Sequence, residues 1–361
     1  MPIALILLFA QTYYFHHFDQ NAYRFQQFYN EEEDSLDVVL MGASQVYTGF
    51  SPAYAYEKYG FTSYLYASAA NPGSLYKYQL KEILKTQNPQ LIIVETNGFY
   101  EANDTFEARL RTFTENIPPS LNKLDAILQY EYEDKLSCVL PFIKYHGEWQ
   151  NFEDLHFNFL HKINIGDKPS RLKGLLVCAA TNDDVPIYDI QNDNSVKEIG
   201  ETSKAYLIDF LEYCKSEQLD NIVFVRFPHK IADEYSYDLF CYANNVAEII
   251  NQYGYTYLNL EKKAPEIGID YMNDFFDYFH MNIDGQVKMT EYLGEFIIDN
   301  YQITPVEQTA ENKAQWEESV LYTKLAYEFV QQHAPKDEEF SLVENSIYVM
   351  DILEEMKNSL N

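Results

Sequence analysis

Short apolar segments of strand length alternate with segments of helical spacing along the chain, and this alternation restricts the folds that the sequence can adopt. Residues 36–41 (LDVVLM), 90–95 (QLIIVE) and 221–226 (NIVFVR) are compact runs of this kind. Between them, residues 72–85 and 202–216 place apolar side chains three and four apart, which predicts helices that pack on a sheet. Strands that alternate with helices favour parallel βαβ units. The pattern therefore predicts an α/β fold, a three-layer α/β/α sandwich with a mostly parallel sheet, whose functional side chains lie at the carboxyl ends of the strands.

Two regions depart from this alternation. Residues from about 104 to 200 contain few clear strands and many turn residues, so we expect them to form an insertion over the functional edge of the sheet. Near the C-terminus, apolar residues at helical spacing predict two amphipathic helices, at about 311–333 and 341–359. The apolar faces of these helices require a partner surface, either this domain or another chain. The predicted organisation is thus an α/β domain at 36–303, which contains the insertion, and a C-terminal helical extension at 304–361.

The first 35 residues indicate contact with a membrane. Residues 2–10 (PIALILLFA) are apolar but too few to span a bilayer, which takes about 20 residues. No Lys or Arg occurs before Arg24, and acidic residues fill positions 31–34, which is typical of a flank outside the cytoplasm. We therefore expect residues 1–35 to form a membrane-proximal segment, either a truncated anchor or an interfacial helix, and the protein to be extracytoplasmic and anchored at its N-terminus. The alternative is an amphipathic helix docked on its own domain.

Charge and cysteine content exclude several kinds of site. With 26 Lys and Arg against 56 Asp and Glu, the net charge is −30, and such a chain lacks the general basic surface that nucleic acid requires. Cys138, Cys178, Cys214 and Cys241 have no spacing typical of zinc or redox sites, so we expect buried thiols and neither a metal nor a cofactor.

The candidate site residues follow the first three predicted strands and precede the last helix of the α/β domain. Ser44 follows the first strand, so its hydroxyl and its backbone N–H both reach the functional edge of the sheet. Gly73 and Asn97 follow the next two strands, where Gly73 lets a backbone amide approach a ligand closely and Asn97 offers a side-chain amide. Asp277 and His280 stand three apart, which lets the carboxylate orient one ring nitrogen while the other nitrogen faces the serine. The arrangement predicts a nucleophile, a general base, an orienting acid and a set of amide donors.

Two of these assignments have competitors nearby in the sequence. Asn71 competes with Gly73 for the role of the second amide donor, and Asp274 competes with Asp277 for the role of the orienting acid. Both alternatives stay open at the level of the sequence.

In their order, these residues resemble the four blocks of the SGNH (GDSL-like) hydrolase superfamily. The similar stretches are residues 41–45 (MGASQ), 89–95 (PQLIIVE) and 276–282 (FDYFHMN), and the likeness extends over about residues 36–300. It is closer to the cell-envelope branch found in Firmicutes, similar to teichoic-acid D-alanyl-transfer proteins and to alginate O-acetyltransferase-type proteins. Ala43 replaces the aspartate of the Gly-Asp-Ser form.

The resemblance implies a flavodoxin-like SGNH fold and a role for each candidate residue. Ser44 would be the nucleophile, and His280 the general base, oriented by Asp277. The Ser44 amide, Gly73 and Asn97 would form the oxyanion hole. Asn97 lies in Glu-Thr-Asn-Gly, where the family has Gly-x-Asn-Asp.

The resemblance also implies an activity and a setting. It points to an O-acyltransferase or acyl esterase that moves or removes an acetyl or aminoacyl group on a cell-envelope glycan or another acylated carbohydrate. Members of this branch often act beside a membrane-bound O-acyltransferase, which would be a partner. Tyr145, His146 and Trp149 lie in a segment similar to inserts of these proteins and are candidates for stacking on sugar rings, with packing inside the insertion as the alternative. The competing hypotheses are a catalytically idle SGNH-like scaffold for such a membrane partner and a cytoplasmic esterase.

Overall fold

Five parallel strands form the central sheet in the computed structural model of the chain. The structure describes residues 21–100, 107–130, 132–147, 169–182, 185–333, 342–343 and 347–360, together with Ile6. The seven strands in this part of the chain are β1 (Val38–Gly42), β2 (Ser63–Ala67), β3 (Leu91–Glu95), β4 (Val177–Cys178), β5 (Ile222–Arg226), β6 (Thr256–Asn259) and β7 (Leu342–Val343). The sheet order is β2-β1-β3-β5-β6, with Val38 beside both Ser63 and Leu91, while β4 and β7 form a separate antiparallel pair. The predicted α/β fold with a parallel sheet is confirmed.

Helices cover both faces of this sheet. The α-helices are α1 (Ala22–Phe28), α2 (Ser44–Gly49), α3 (Pro52–Tyr59), α4 (Tyr76–Thr86), α5 (Glu107–Thr114), α6 (Leu121–Gln129), α7 (Lys135–Val139), α8 (Pro141–Tyr145), α9 (Glu201–Ser216), α10 (Glu234–Gln252), α11 (Ala264–Ile267), α12 (Ile283–Tyr301), α13 (Ala310–His333) and α14 (Ile347–Ser359). Two 3₁₀ turns, Gly73–Leu75 and Asn97–Phe99, follow β2 and β3.

Alternate residues of each strand enter two separate cores, which is the signature of a three-layer sandwich. In β1, Val39 and Met41 face one core, and Val38 and Leu40 face the other. Side chains of successive strand residues point to opposite faces of a sheet. Because helices cover both faces, every residue of β1, β2, β3 and β5 is buried, which explains why their sequences are continuous apolar runs rather than alternating ones.

The described part of the N-terminal segment packs on the α/β domain. The Phe25 and Phe28 side chains of α1 are fully buried, and both rings meet the Tyr66 ring edge-on with centroids 4.8 Å apart. The apolar run at residues 2–10 lies outside the described residues, apart from Ile6. None of the helices in the described part of the chain combines the length and the apolar character that a bilayer crossing needs.

The C-terminal helix α13 packs on the same domain. Trp316 is fully buried, and its ring lies 5.0 Å from the Tyr56 ring of α3. Tyr322 and Leu325 enter the core that also contains Val38 of β1. The apolar face of α13 therefore has its partner surface within this chain. The division at residues 35/36 and 303/304 stays a prediction.

The described part of the insertion region contains four short helices, α5 to α8, while residues 148–168 lie outside the described residues. All four cysteines are buried and free, as predicted.

Candidate active site

Ser44 lies just beyond the carboxyl end of the interior strand β1, where the chain turns from the sheet into α2. Gly42 closes the strand at φ +153°, and a Cβ atom there would lie 2.6 Å from the Cβ of Glu95. Only glycine fits this close approach without strain. Ala43 then adopts an extended conformation, and Ser44 begins the helix. The turn places the Ser44 side chain at the edge of the sheet that the sequence predicts to be functional.

Ser44, His280 and Asp277 form one hydrogen-bonded chain. The Ser44 Oγ lies 2.6 Å from Nε2 of His280, and Nδ1 of His280 lies 2.7 Å from Oδ2 of Asp277. The second carboxylate oxygen of Asp277 accepts the backbone N–H groups of Phe279 and His280, at 2.7 and 2.8 Å. These bonds fix the turn that carries the imidazole. The structure thus joins three residues that span 236 positions of sequence in the geometry of a nucleophile, a base and an orienting acid.

Asp274, the competing candidate for the acid, has other partners. Its carboxylate lies 2.7 Å from Nζ of Lys288, and it accepts the backbone N–H of Asp270 at 2.7 Å. Its side chain is almost fully buried, whereas Asp277 is partly open to the site. The hydrogen bond to His280 comes from Asp277, so the geometry separates the two candidates.

The electrostatics of Asp277 suit an ionised carboxylate. Burial raises its pKa, but the hydrogen bond and charge of His280, together with the backbone N–H groups of Phe279 and His280, outweigh burial and hold the pKa below its usual value. A carboxylate that stays ionised favours a proton on Nδ1 of His280. The other nitrogen, Nε2, is then free to accept the proton of the Ser44 hydroxyl.

A buried carboxylate, Glu95 at the end of β3, joins the loops that carry Ser44 and Asn97. Its two oxygens accept the backbone N–H groups of Ala43, at 3.0 Å, and of Asn97, at 2.6 Å. Burial raises the pKa of Glu95 to about 7, although these amides oppose the shift. Glu95 therefore fixes the spacing between two strand ends that supply site residues.

Asn97 presents its side chain to the site and is held by a buried ionic cluster. Its Oδ1 accepts Nη1 of Arg226 at 3.2 Å, and its Nδ2 lies 3.2 Å from Nε2 of His229. Arg226 is also paired with Glu261, with Nε 2.5 Å from Oε2, and Nδ1 of His229 lies 3.1 Å from Oε1 of the same carboxylate. Arg226, His229 and Glu261 are each at most 2% exposed.

Gly73 and Asn71, the competing candidates for the second amide donor, have different surroundings. A Cβ atom on Gly73 would lie 2.4 Å from the Phe99 ring and 2.8 Å from the Gly98 carbonyl, so the missing side chain serves close packing of two turns. Asn71 lines the site, but its side chain is committed, since its Nδ2 donates to the Gly42 carbonyl at 2.9 Å and to Gln79 at 2.8 Å. Among the described residues that line the site, Gly73 does not appear, while Asn71 does.

Ser44, Asn97 and His280 border a pocket of about 260 Å³ at the carboxyl edge of the sheet. The pocket combines polar groups around Ser44 with an apolar side formed by aromatic and aliphatic residues. The described residues that line it are Ala43, Ser44, Gln45, Ala70, Asn71, Asn97, Gly98, Tyr100, Tyr235, Leu239, Phe279 and His280.

The predicted sugar-stacking residues lie elsewhere or outside the described part of the chain. The Tyr145 hydroxyl contacts Glu115 at 3.3 Å, and the Arg111 guanidinium lies 5.7 Å from the Tyr145 ring. His146 is exposed, and Trp149 lies outside the described residues. Neither Tyr145 nor His146 is among the described residues that line the pocket, so stacking of sugar by this segment stays a prediction.

Sequence reasoning missed the cluster of Arg226, His229 and Glu261. A signal for it does exist, because an arginine ends the otherwise apolar strand β5 and a histidine follows three residues later. A charged residue at the carboxyl end of a buried parallel strand lies at the edge where sites form. The partner Glu261 follows β6, so only the strand order brings the three together.

Comparison with known proteins adds no assignment to this geometry. A scan of the chain against protein-family models gives no match, and a search of curated proteins gives no significant match. Within the described ranges, no group of three or more His, Cys, Asp or Glu side chains is arranged to hold a metal ion.

Proposed function

We propose that the chain is a serine-dependent acyl-transfer enzyme, an acyl esterase or O-acyltransferase. The observation that carries this proposal is the hydrogen-bonded chain from Ser44 through His280 to Asp277, which ends in an open pocket at the carboxyl edge of a parallel sheet. Each of the two contacts has the length required for proton transfer between nucleophile and base and for orientation of the base.

The first half of the reaction forms an acyl-enzyme. Ser44 Oγ attacks the ester carbonyl as its proton passes to Nε2 of His280, and the imidazolium is stabilised by Asp277. The tetrahedral intermediate then collapses. The bond between the carbonyl carbon and the alcohol oxygen breaks, and that oxygen takes the proton from Nε2.

The second half of the reaction returns Ser44 to its free state. Water or a sugar hydroxyl gives its proton to Nε2 of His280 and attacks the acyl group, and the serine oxygen leaves with that proton. Hydrolysis and transfer differ only in this acceptor. The same three side chains serve both outcomes.

Charge on the carbonyl oxygen needs donors within the pocket. The backbone N–H of Ser44, in the first turn of α2, lacks an acceptor within its own helix, and the side-chain amide of Asn97 borders the same pocket. One such donor typically contributes about 3 kcal/mol to stabilisation of the transition state. We assign the oxyanion role to these two groups, with Gly73 supporting the position of the turn at Asn97 through its contact with Gly98.

The setting of this chemistry is part of the proposal. The likeness to the cell-envelope branch of the SGNH superfamily and the apolar N-terminal run support an extracytoplasmic enzyme that acts on an acylated cell-envelope glycan, beside a membrane-bound O-acyltransferase. The net charge of −30 favours a neutral glycan over a polyanionic one.

Hydrolysis of p-nitrophenyl acetate by the purified chain tests the proposal. We expect Ser44→Ala to lower kcat/KM at least about a thousandfold, because the acyl-enzyme cannot form. Ser68→Ala is the matched control, since Ser68 is a buried serine just beyond the end of β2 and is not among the described residues of the pocket. Equal activity in Ser44→Ala and the wild type would overturn the enzyme proposal and leave the scaffold hypothesis in its place.

A further inference from the structure

A second carboxylate–histidine pair, formed by Glu261 and His229, is buried next to the pocket and contacts its lining residue Asn97 in the way that Asp277 and His280 contact Ser44. Nδ1 of His229 lies 3.1 Å from Glu261, and Nε2 of His229 lies 3.2 Å from Nδ2 of Asn97. His229 is 2% exposed and Glu261 is fully buried. The mechanism above assigns no task to either residue.

Arg226 determines the orientation of the Asn97 side-chain amide, that is, which of its two terminal atoms is the oxygen and which is the nitrogen. A guanidinium carries only donors, so the amide atom 3.2 Å from Nη1 of Arg226 must be the oxygen. The opposite orientation would place two donors against each other. The amide nitrogen of Asn97 therefore faces His229.

The same logic fixes the tautomer of His229. Because the Asn97 amide nitrogen donates, Nε2 of His229 must accept, and the ring proton is carried by Nδ1, which donates to Glu261. Burial and the charge of Arg226 lower the pKa of His229, in keeping with a neutral ring. Each contact between Asn97, His229, Arg226 and Glu261 then pairs a donor with an acceptor.

One hydrogen of the Asn97 amide is left for a ligand. An amide nitrogen has two N–H donors, and His229 accepts one of them. The second has no hydrogen-bond acceptor in the described part of the chain, and Asn97 lines the pocket that contains Ser44. Arg226 polarises the amide from the other end, which strengthens this donor.

The His229 loop is fixed against the turn that carries Asp277 and His280. The backbone N–H of Lys230 donates to the Tyr278 carbonyl at 2.8 Å, and the Phe279 ring meets the His229 ring edge-on at 5.7 Å. The loop that carries His229 and the turn that carries His280 are thus in direct contact.

We propose that His229, oriented by Glu261, is a positioning residue for the oxyanion hole: it holds the Asn97 amide so that its second N–H meets the carbonyl oxygen of the ester. The inference rests on the proposed acyl transfer. It assigns His229 no proton transfer and no contact with substrate.

A double-mutant cycle tests whether His229 acts through Asn97. We measure acetyl-ester hydrolysis by the full chain with His229→Leu, Asn97→Ala and both changes. Loss of a positioned oxyanion donor lowers kcat about 100-fold or more with KM little changed, so each single variant is expected to lose about 10- to 1000-fold in kcat. The double variant is expected to lose no more than Asn97→Ala alone. Independent losses that multiply in the double variant would overturn the proposal.

Two further variants keep the test decisive if His229→Leu is unstable. A Gln at 229 can accept from Asn97 with its oxygen and donate to Glu261 with its nitrogen, so His229→Gln is expected to retain most of kcat. Glu82→Gln is the control for the structural effect of a change at a buried polar residue. Glu82 is as buried as Glu261, but its carboxylate accepts a hydrogen bond from Asn122 of α6. It is expected to lower stability without lowering kcat. A loss of kcat in folded Glu82→Gln equal to that in the cluster variants would show a merely structural effect and would contradict the assignment.

Nitrogen-15 NMR of histidine-labelled protein gives a readout that needs no activity. The proposal predicts the neutral Nδ1–H tautomer for His229, identified by the signal lost in His229→Gln. A neutral Nε2–H tautomer or a protonated ring at neutral pH would overturn it.

Should the wild type show hydrolysis that does not depend on Ser44, the enzyme proposal fails. If hydrolysis depends on Ser44 but the losses in the double-mutant cycle multiply, only the positioning role of His229 is contradicted and the enzyme proposal stands.

Discussion

His280 lies between a carboxylate and a hydroxyl, and these two neighbours decide what its ring can do. Asp277 accepts from Nδ1 and is itself fixed by two backbone N–H groups, so both the tautomer and the plane of the ring are determined. The nitrogen on the far side lies 2.6 Å from the serine oxygen. At the scale of single residues, the chemistry of the site depends on which atom carries each proton.

The two neighbouring aspartates are expected to differ sharply when each is changed to asparagine. Asp277→Asn removes the charge that stabilises the imidazolium and allows the wrong tautomer, so we expect kcat to fall at least about 100-fold. Asp274→Asn breaks the pair with Lys288 and is expected to lower stability with a much smaller change in kcat. Steady-state ester hydrolysis and urea denaturation of both variants separate the two effects. A larger loss of kcat in Asp274→Asn than in Asp277→Asn would show that Asp277 is not the orienting acid.

At the scale of elements, a few polar bonds join the ends of four parallel strands, β1, β3, β5 and β6. Glu95 at the end of β3 accepts N–H groups from the turn after β1 and from the turn after its own strand. Arg226 at the end of β5 reaches both Asn97 after β3 and Glu261 after β6. Side chains that stand on neighbouring strand ends are positioned more rigidly than side chains on free loops.

Glu95 is expected to give the stability of the fold a particular dependence on pH. Its pKa is about 7 in the folded chain and 4.5 as its ordinary value, so between these values the folded state holds a proton that the unfolded state has lost. Stability from this group is full below the ordinary pKa and is lost as pH rises through the folded pKa. We therefore expect the free energy of unfolding of the wild type, relative to Glu95→Gln, to fall between about pH 5 and about pH 8. Urea denaturation across this range measures the difference. Parallel curves for the two proteins would contradict the raised pKa.

At the scale of the whole molecule, regions from both ends of the chain meet on the α/β domain. Nζ of Lys173 lies 2.6 Å from Glu31, both side chains are fully buried, and the same ammonium lies 4.6 Å from the Trp316 ring of α13. Burial raises the pKa of Glu31, against the opposing charge of Lys173. An N-terminal residue, a residue following the insertion helices and a C-terminal helix thus share one contact.

Trp316→Ala is expected to destabilise the entire fold rather than release the C-terminal helix alone. The indole is fully buried against Tyr56, and truncation of a buried aromatic side chain costs about 3–5 kcal/mol. Glu317→Ala is the control, because Glu317 is the exposed neighbour on the same helix. Urea denaturation followed by circular dichroism and by tyrosine fluorescence is expected to give one coincident transition at a lower midpoint. Two separate transitions would show that α13 is an independent unit.

Much of this architecture could be predicted because it depends on local patterns. The apolar runs before Ser44 and Asn97 identify buried parallel strands, and strand ends in a parallel sheet share one edge, which brings Ser44 and Asn97 to the same side of the site. The turn from Asp277 to His280 is local, so its spacing alone indicates the carboxylate–imidazole contact. These predictions needed no knowledge of which strands are neighbours.

The rest depends on contacts that no local pattern records. Arg226 and Glu261 meet because β5 and β6 are adjacent in the sheet. The hydrophobic pattern of a strand does not indicate which strands are its neighbours. Only the fold shows that Gly73 packs closely against the Phe99 ring, and a role for Gly73 in the oxyanion hole stays a prediction. Trp149 and the apolar N-terminal run lie outside the described residues, so stacking on sugar and contact with a membrane stay predictions.

The central claim is that Ser44 is a nucleophile activated by His280, and covalent capture tests it most directly. Purified protein is incubated with a fluorophosphonate, digested and analysed by mass spectrometry. We predict one modified peptide, which carries the label on Ser44, with labelling strongly slowed in His280→Gln and unchanged in Ser68→Ala. Equal labelling of the wild type and Ser44→Ala, or labelling of Ser44 at the same rate without His280, would contradict the account.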